Sequence, residues 1–400
     1  MLGRVGPLDP EPVPLREALG RILAVDVKSA DPVPGFDNSS MDGFAVRAAD
    51  TRGATSGAPV TLRVAGESRA GRPARSAVRD GEAIGISTGA VIPEGADSVV
   101  RIEDTSVRDG RVEIEAEVEP GKNVRHAGDD IEPGDAVLRQ GVQLGAAELG
   151  VLASVGIETV SCGPRPRLTV LTTGDELLEP GDEARPGGVR NSNAYTIPAL
   201  ALGGGAEVVG TETVKDDPDL TRAAIESMLR AEIAVICGGV SVGEHDHVRA
   251  ALASHDVEEV FWRVALKPGK PTWFGVAPQG TLVFGLPGNP VSAMVTFLLF
   301  VRPAIRRMTG ATDRAERVRA ILDQDLPKAS GRAHAVRCLL ELHDDGWHAR
   351  PTGDQDSHVL TSMLDADALA IVAADADPPA AGDTVALALL SEGWGLGSAR

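Results

Sequence analysis

Between Arg167 and Gly310 the chain alternates short apolar runs with longer amphipathic ones, and on either side of that stretch it does not. Residues 167–172 read as a strand, 193–202 as a helix closed by Gly203-Gly204-Gly205, and 207–214 as a second strand. Asp216-Asp217-Pro218 opens a helix through Arg230, with carboxylates at its positive end. A buried strand at 233–236, a short helix at 248–253, strands at 260–266 and 281–285, and a long helix at 291–308 stopped by Gly310 complete the series. Strands separated by helices predict a doubly wound parallel α/β sheet.

The flanks have a different texture. Residues 60–65, 82–87, 98–102 and 112–118 are short β-like runs broken by Gly, Pro and Asp, which predicts β-rich N-terminal domains. One short helix is expected at 146–154, ended at Gly156. Beyond about 313 the β texture returns at 318–322, 335–342, 347–351, 368–372 and 384–389, the pattern of a small C-terminal β-barrel. Aromatic residues make up only 3% of the chain, so its cores must be built from Val, Leu, Ile and Ala.

The formal charge of -19 disfavours nucleic acid and anionic membrane surfaces as partners. An anionic substrate would need basic residues gathered locally. Cys162, Cys237 and Cys338 are too widely spaced for a disulfide framework or a zinc site, which favours a reducing compartment. The opening residues lack the apolar core of a signal peptide, and the longest apolar stretch, 291–301, is too short to span a bilayer. The expected location is the cytoplasm.

Four loops follow predicted strands in the α/β region. Cys237-Gly238-Gly239-Val240-Ser241-Val242-Gly243-Glu244-His245-Asp246 combines glycines that let backbone N–H groups approach an anion, a serine hydroxyl and an acid suited to a divalent metal. Leu266-Lys267-Pro268-Gly269-Lys270-Pro271 is a stiff cationic loop. Gly285-Leu286-Pro287-Gly288-Asn289-Pro290 leads into the long helix, with Pro290 where a missing N–H costs nothing. Thr172-Thr173-Gly174-Asp175-Glu176-Leu177 ends the first strand. Ligands of open α/β sheets bind at the carboxyl ends of strands, so the four loops converge on one edge.

Each stretch also has a plainer reading as a solvated turn. Gly239-Val240-Ser241-Val242-Gly243 in addition fits the nucleophile elbow of a serine hydrolase, although the nearby His247 and His255 follow too soon to resemble a late triad histidine. His245-Asp246-His247 offers two imidazoles, too few for a transition metal without remote partners. The N-terminal half adds two acidic clusters, residues 36–45 and 125–131, and the motif Ser87-Thr88-Gly89-Ala90.

Taken together and in order, these motifs resemble the molybdopterin molybdenumtransferase family, which includes bacterial MoeA proteins and the E domain of gephyrin. The resemblance rests on Val33-Pro34-Gly35-Phe36-Asp37-Asn38-Ser39-Ser40-Met41-Asp42-Gly43, Ser87-Thr88-Gly89-Ala90, Gly128-Asp129-Asp130-Ile131, Thr173-Gly174-Asp175-Glu176-Leu177, Gly238-Gly239-Val240-Ser241-Val242-Gly243, Lys267-Pro268-Gly269-Lys270-Pro271 and Pro287-Gly288-Asn289-Pro290. It implies an extended linking domain from residues 1–35 and 131–165, a β-rich second domain at 36–130, an α/β molybdopterin-binding domain at 166–312 and a C-terminal barrel at 313–400. It implies insertion of molybdate into adenylylated molybdopterin with release of AMP, helped by Mg2+. It also implies a homodimer with shared active sites and contact with other proteins of cofactor biosynthesis.

By the same resemblance, Asp42, Asp130, Glu176 and Asp246 are the catalytic acids, with Asp246 a magnesium ligand. Thr88, Gly238, Gly239, Ser241, Lys267, Lys270, Pro271, Pro287, Asn289, Arg337 and Ser357 are substrate contacts. Two departures are visible. The chain opens inside what corresponds to the family's first helix, and Asp356 stands where the family usually has a small residue. Two other readings keep the same fold. One is a non-catalytic pterin-binding scaffold, against which Asp42, Asp130 and Asp246 weigh. The other is the preceding adenylylation step, against which the extra domains weigh.

Overall fold

A computed structural model describes residues 1–239, 247–312, 317–327 and 331–390. The two ends of the N-terminal region are stitched together by short strands. Glu11–Pro14 pairs antiparallel with Thr159–Gly163, which also pairs with Ile22–Leu23, and Val27–Lys28 pairs with Ala136–Leu138. The helix Ala146–Ser154 lies where the sequence predicts it and packs Leu152 into a small core with Val13, Leu23 and Val160. The intervening residues fold into a six-stranded sheet in the order 98–101, 43–46, 82–86, 60–68, 111–114, 105–108. Its core is Phe44, Val46, Leu62, Val100, Val112 and Ile114, as a chain poor in aromatics requires.

The central sheet runs Glu207–Val214, Arg167–Thr173, Ile233–Cys237, Leu282–Leu286, Trp273–Val276, Glu258–Trp262. The first four strands are parallel, and Ile233–Cys237 and Leu282–Leu286 are buried at every position, as strands covered on both faces must be. The last two strands are antiparallel, so the sheet is mixed rather than wholly parallel. The strand expected at 260–266 is two segments. Arg263 takes a left-handed backbone (φ 68°), the chain leaves the sheet, and Leu266–Lys267 pairs instead with Ala333–His334 of the C-terminal domain. The long helix is continuous from Pro290 to Met308 but contains a π-helical segment, Phe297–Val301. Pro303 lies two residues beyond its end, after Arg302. Having no N–H, that proline cannot complete the regular ladder at this point.

In the C-terminal region Ala333–His343 pairs with both Gly346–Pro351 and Ala368–Val372. Arg317–Leu322 pairs with Gly346–Pro351 and Thr384–Leu389, and the latter returns to Ala368–Val372. Five strands thus close on themselves around Val336, Cys338, Ala370 and Leu387, which is the expected barrel. The two-residue pairing of Leu266–Lys267 with this barrel fixes its position over one end of the central sheet. No helix among the described residues is long and apolar enough to cross a membrane. All three cysteines are buried free thiols.

Candidate functional site

A cleft of about 780 Å³ lies at the carboxyl ends of the parallel strands, between the central sheet and the barrel. Thr172–Gly174, Cys237–Gly239, Lys267–Pro271 and Pro287–Pro290 all line it. The four loops therefore converge as the sheet topology requires, because parallel strands deliver their carboxyl ends to one edge. Of the predicted site residues, Glu176, Gly238, Gly239, Lys267, Lys270, Pro271, Pro287, Asn289 and Ser357 face this space. Ser241 and Asp246 lie outside the described residues.

Backbone geometry explains the two glycines. Gly238 and Gly239 have φ of +94° and +62°. A Cβ on Gly238 would sit 2.9 Å from the Thr173 carbonyl, and one on Gly239 would sit 2.6 Å from a Val248 methyl. Only glycine allows this turn to pass so close to its neighbours. Cys237 is not a nucleophile here. It is 2% exposed, and burial pushes its thiol up to about 12.

The cleft is electrically divided. Lys267, Lys270 and Arg332 face it without an ion-pair partner among the described residues, whereas Glu176 and Asp216 stand on the sheet side. Arg190 also lines it, but its guanidinium donates to the Glu179 carbonyl and, at 2.7 Å, to that of Asp182. In a chain of net charge -19, three cations without an ion-pair partner among the described residues gather positive charge in one concavity.

Asn191, Asn193, Arg332 and Gln355 line the cleft but carried no recognisable signal in the sequence. Asn191 is buried and donates to Thr172 Oγ1 (2.9 Å) and Thr213 Oγ1 (3.0 Å), locking the segment before the 193–203 helix to two strand ends. Asn193 donates to the Gly288 carbonyl at 2.8 Å, and its own buried amide oxygen has no partner among the described residues. Asn289 Nδ2 donates to Ser357 Oγ at 2.9 Å, a direct link between the sheet loop and the barrel. Arg332, Gln355 and Asp356 come from the barrel side. A reading based on local motifs cannot find residues that only tertiary packing assembles.

Arg337 is absent from the cleft wall. It is 0% exposed, and burial pulls its pKa below the ordinary guanidinium value. One terminal nitrogen donates to the Asp354 carbonyl at 3.0 Å, while Nε and the other nitrogen have no partner among the described residues. In this arrangement it holds the loop that presents Gln355–Ser357, rather than facing the cleft itself. Asp42, Thr88 and Asp130 are exposed on the N-terminal region and do not line the cleft. Asp42 Oδ1 accepts the Thr88 N–H at 2.7 Å, so two of the three form one local arrangement.

His334 is paired in register with Lys267 and is 1% exposed. Its Nδ1 lies 3.1 Å from the Pro327 carbonyl, a contact that requires the Nδ1–H form. Burial holds its pKa below the usual 6.5, opposed by that hydrogen bond and reinforced by the charges of Lys267, Arg337 and Arg332. A neutral native imidazole means that the unfolded chain gains a proton the folded chain refuses. Stability from this source is therefore expected to fall as pH drops below the unfolded value of about 6.5. Melting curves of wild type and His334→Gln at pH about 7.5 and about 5.5 measure it. The wild type should lose more on acidification than the variant, and equal losses would show that His334 is not the neutral buried group described.

Residues 1–156 match the family described as the MoeA N-terminal region (domain I and II), 169–307 the probable molybdopterin binding domain, and 306–390 the MoeA C-terminal region (domain IV). The chain is 36% identical over 387 residues to the molybdopterin molybdenumtransferase of Haemophilus influenzae, covering 95% of this chain and 94% of that one. It is 34% identical to the enzyme of the same name from Bacillus subtilis, covering 95% and 90%. The molybdopterin biosynthesis MoeA protein of Pyrococcus horikoshii superposes with a TM-score of 0.82 at 31% identity, covering 97% of each chain.

Proposed function

The chain belongs to the molybdopterin molybdenumtransferase family, and from that membership and its cleft we propose that it inserts molybdate into adenylylated molybdopterin, with release of AMP, between the α/β sheet and the barrel. It is a transferase of molybdenum cofactor biosynthesis. The observation that carries the proposed reaction is the set Lys267, Lys270 and Arg332, cations without an ion-pair partner among the described residues, at the strand ends of an acidic protein. Molybdate is a tetrahedral dianion, and fixed donors replace its hydration shell at little reorganisation cost. The turn at Gly238 and Gly239 brings backbone close to the bound anion, and Ser357, held by Asn289, adds a hydroxyl. Asn193 offers an acceptor to the pterin side.

Glu176 and Asp216 supply hard carboxylate oxygens in the same cleft, a donor set that fits Mg2+. Asp246 is proposed as a further ligand. Bound there, Mg2+ would offset the charge of the phosphate groups. Asp42, Thr88 and Asp130 are proposed to complete the site of a second subunit in a homodimer. Their surface fits that role, since Phe36 and Met41, 48% and 43% exposed, leave apolar area beside the acids. We also propose the four-domain division at 1–35 with 131–165, 36–130, 166–312 and 313–400, a cytoplasmic location, and transient contact with other proteins of cofactor assembly.

Incubation with adenylylated molybdopterin, molybdate and Mg2+ tests the reaction directly. AMP should appear only when molybdate is present. Binding of the pterin without AMP release would establish the scaffold reading instead. A serine hydrolase working through Ser241 would form a covalent intermediate, and a fluorophosphonate probe would trap it. No labelling at Ser241 is expected. Stoichiometric labelling there would restore the hydrolase reading.

A further inference from the structure

The hairpin joining Ala333–His343 to Gly346–Pro351 carries a cluster that plays no part in the cleft. His343, Asp345 and His348 each present a ligand atom, and all three atoms lie within 4.8 Å of one another. Among the described residues no other group of three His, Cys, Asp or Glu side chains meets that condition. Register explains the meeting. His343 pairs with Gly346 and Glu341 with His348 across the hairpin, while Asp345 sits in the turn. The two imidazole rings stack with centroids 4.2 Å apart. His348 Nε2 is 3.0 Å from Asp345 Oδ1, and its Nδ1 is 2.6 Å from Asp323 Oδ1.

We propose that His343, Asp345 and His348 bind a divalent transition metal of the Zn2+ type, with Asp323 as the positioning residue behind His348. Two imidazoles and one carboxylate match the donor preferences of Zn2+ and its borderline neighbours, and three protein ligands leave one position open to water. Asp323 makes the arrangement more than a chance cluster. A carboxylate on Nδ1 holds a proton there, so loss of the Nε2 proton that bridges to Asp345 would leave the Nε2 lone pair for an ion beside that carboxylate, the usual support of a metal-bound histidine. His348 is also the most enclosed of the three, with a side chain only 14% exposed. Glu341, 3.7 Å from His343 Nε2, adds negative charge at the edge. Mg2+ prefers an all-oxygen shell, so this site would be distinct in chemistry from the cleft. A bound ion would clamp the hairpin tip, which His348 ties to Asp323.

The test uses the full chain stripped with chelator, then dialysed against Zn2+ alone. Wild type should bind one equivalent that both His343→Ala and His348→Ala lose, with affinity reduced at least about 100-fold. Asp323→Asn should weaken binding about 10–100-fold while the absorption bands of the Co2+-substituted protein keep their shape. A merely structural Asp323 would not change the affinity. Zn2+ should raise the melting temperature of wild type and not of His343→Ala, because only a native-state ligand stabilises by mass action. Molybdate-dependent AMP release should be unchanged in His343→Ala. His343 is exposed, so that variant decides the matter even if His348→Ala fails to fold. Absence of bound Zn2+ in wild type, or equal stoichiometry and affinity in wild type and His343→Ala, would overturn the site.

Discussion

Replacing both cleft lysines, Lys267→Ala with Lys270→Ala, is expected to lower molybdate-dependent AMP release at limiting molybdate by about two to four orders of magnitude. A hydrogen bond to a charged group is worth roughly 1.5–3 kcal/mol. Since about 1.4 kcal/mol is a factor of ten, each lysine accounts for about one to two decades. The fold should tolerate the change. Lys267 pairs with His334 through backbone, so the strand ladder survives loss of its side chain. Neither ammonium has an ion-pair partner among the described residues, which leaves no native pair to break. Stability should therefore shift by no more than about 0.5 kcal/mol, as for substitutions outside special contacts. Removing Lys267 also relieves positive charge beside His334, which adds a small stabilising contribution at acid pH. The measurement is AMP release against molybdate concentration, with melting temperature as control. An unchanged molybdate dependence in the double variant would remove both lysines from the anion site, and a large fall in melting temperature would assign them a structural role.

The parts of the fold that could be read in the sequence are those where period and punctuation agree. The barrel strands Ala368–Val372 and Thr384–Leu389 and the helix Ala146–Ser154 lie where the pattern puts them, because each is a regular run bounded by turn residues or glycine. The segment at 260–266 misled for a physical reason. Its β-like composition is continuous, but Arg263 adopts a left-handed backbone that composition does not reveal. Trp273–Val276 was hidden because it is only four residues long and directly follows a loop of two prolines and a glycine.

The cleft followed the same division. Its loops were legible because glycines and prolines after strands mark backbone that must turn sharply. Asn191, Asn193 and Arg332 were not, since their roles come from partners distant in sequence. Arg337 shows the opposite failure. The family resemblance makes it a substrate contact, yet its side chain is enclosed and bonds the Asp354 carbonyl.

Subunit mixing is expected to restore about one quarter of wild-type activity from two inactive variants. One parent is Asp42→Asn and the other is the double lysine variant. The physical ground is the position of Asp42, Thr88 and Asp130 on the N-terminal region, exposed and outside the cleft that holds Lys267 and Lys270. Acids that take part in the reaction must reach the cleft, and in a two-fold dimer a second chain can bring them there. In the proposed dimer the axis would make the two composite sites equivalent, each built from the N-terminal region of one protomer and the cleft of its partner. In a mixed dimer one composite site receives both lesions and the other neither. Random pairing makes about half the dimers mixed, and each has one good site of two, which gives about one quarter overall. The parents are co-expressed with different affinity tags, so that mixed dimers can be isolated, where recovery should approach about one half. A site contained within one chain would leave a lesion in every site of every dimer. Purified mixed dimers with no more AMP release than either parent would therefore rule out the shared site, and would move Asp42 from the reaction to a role within its own domain.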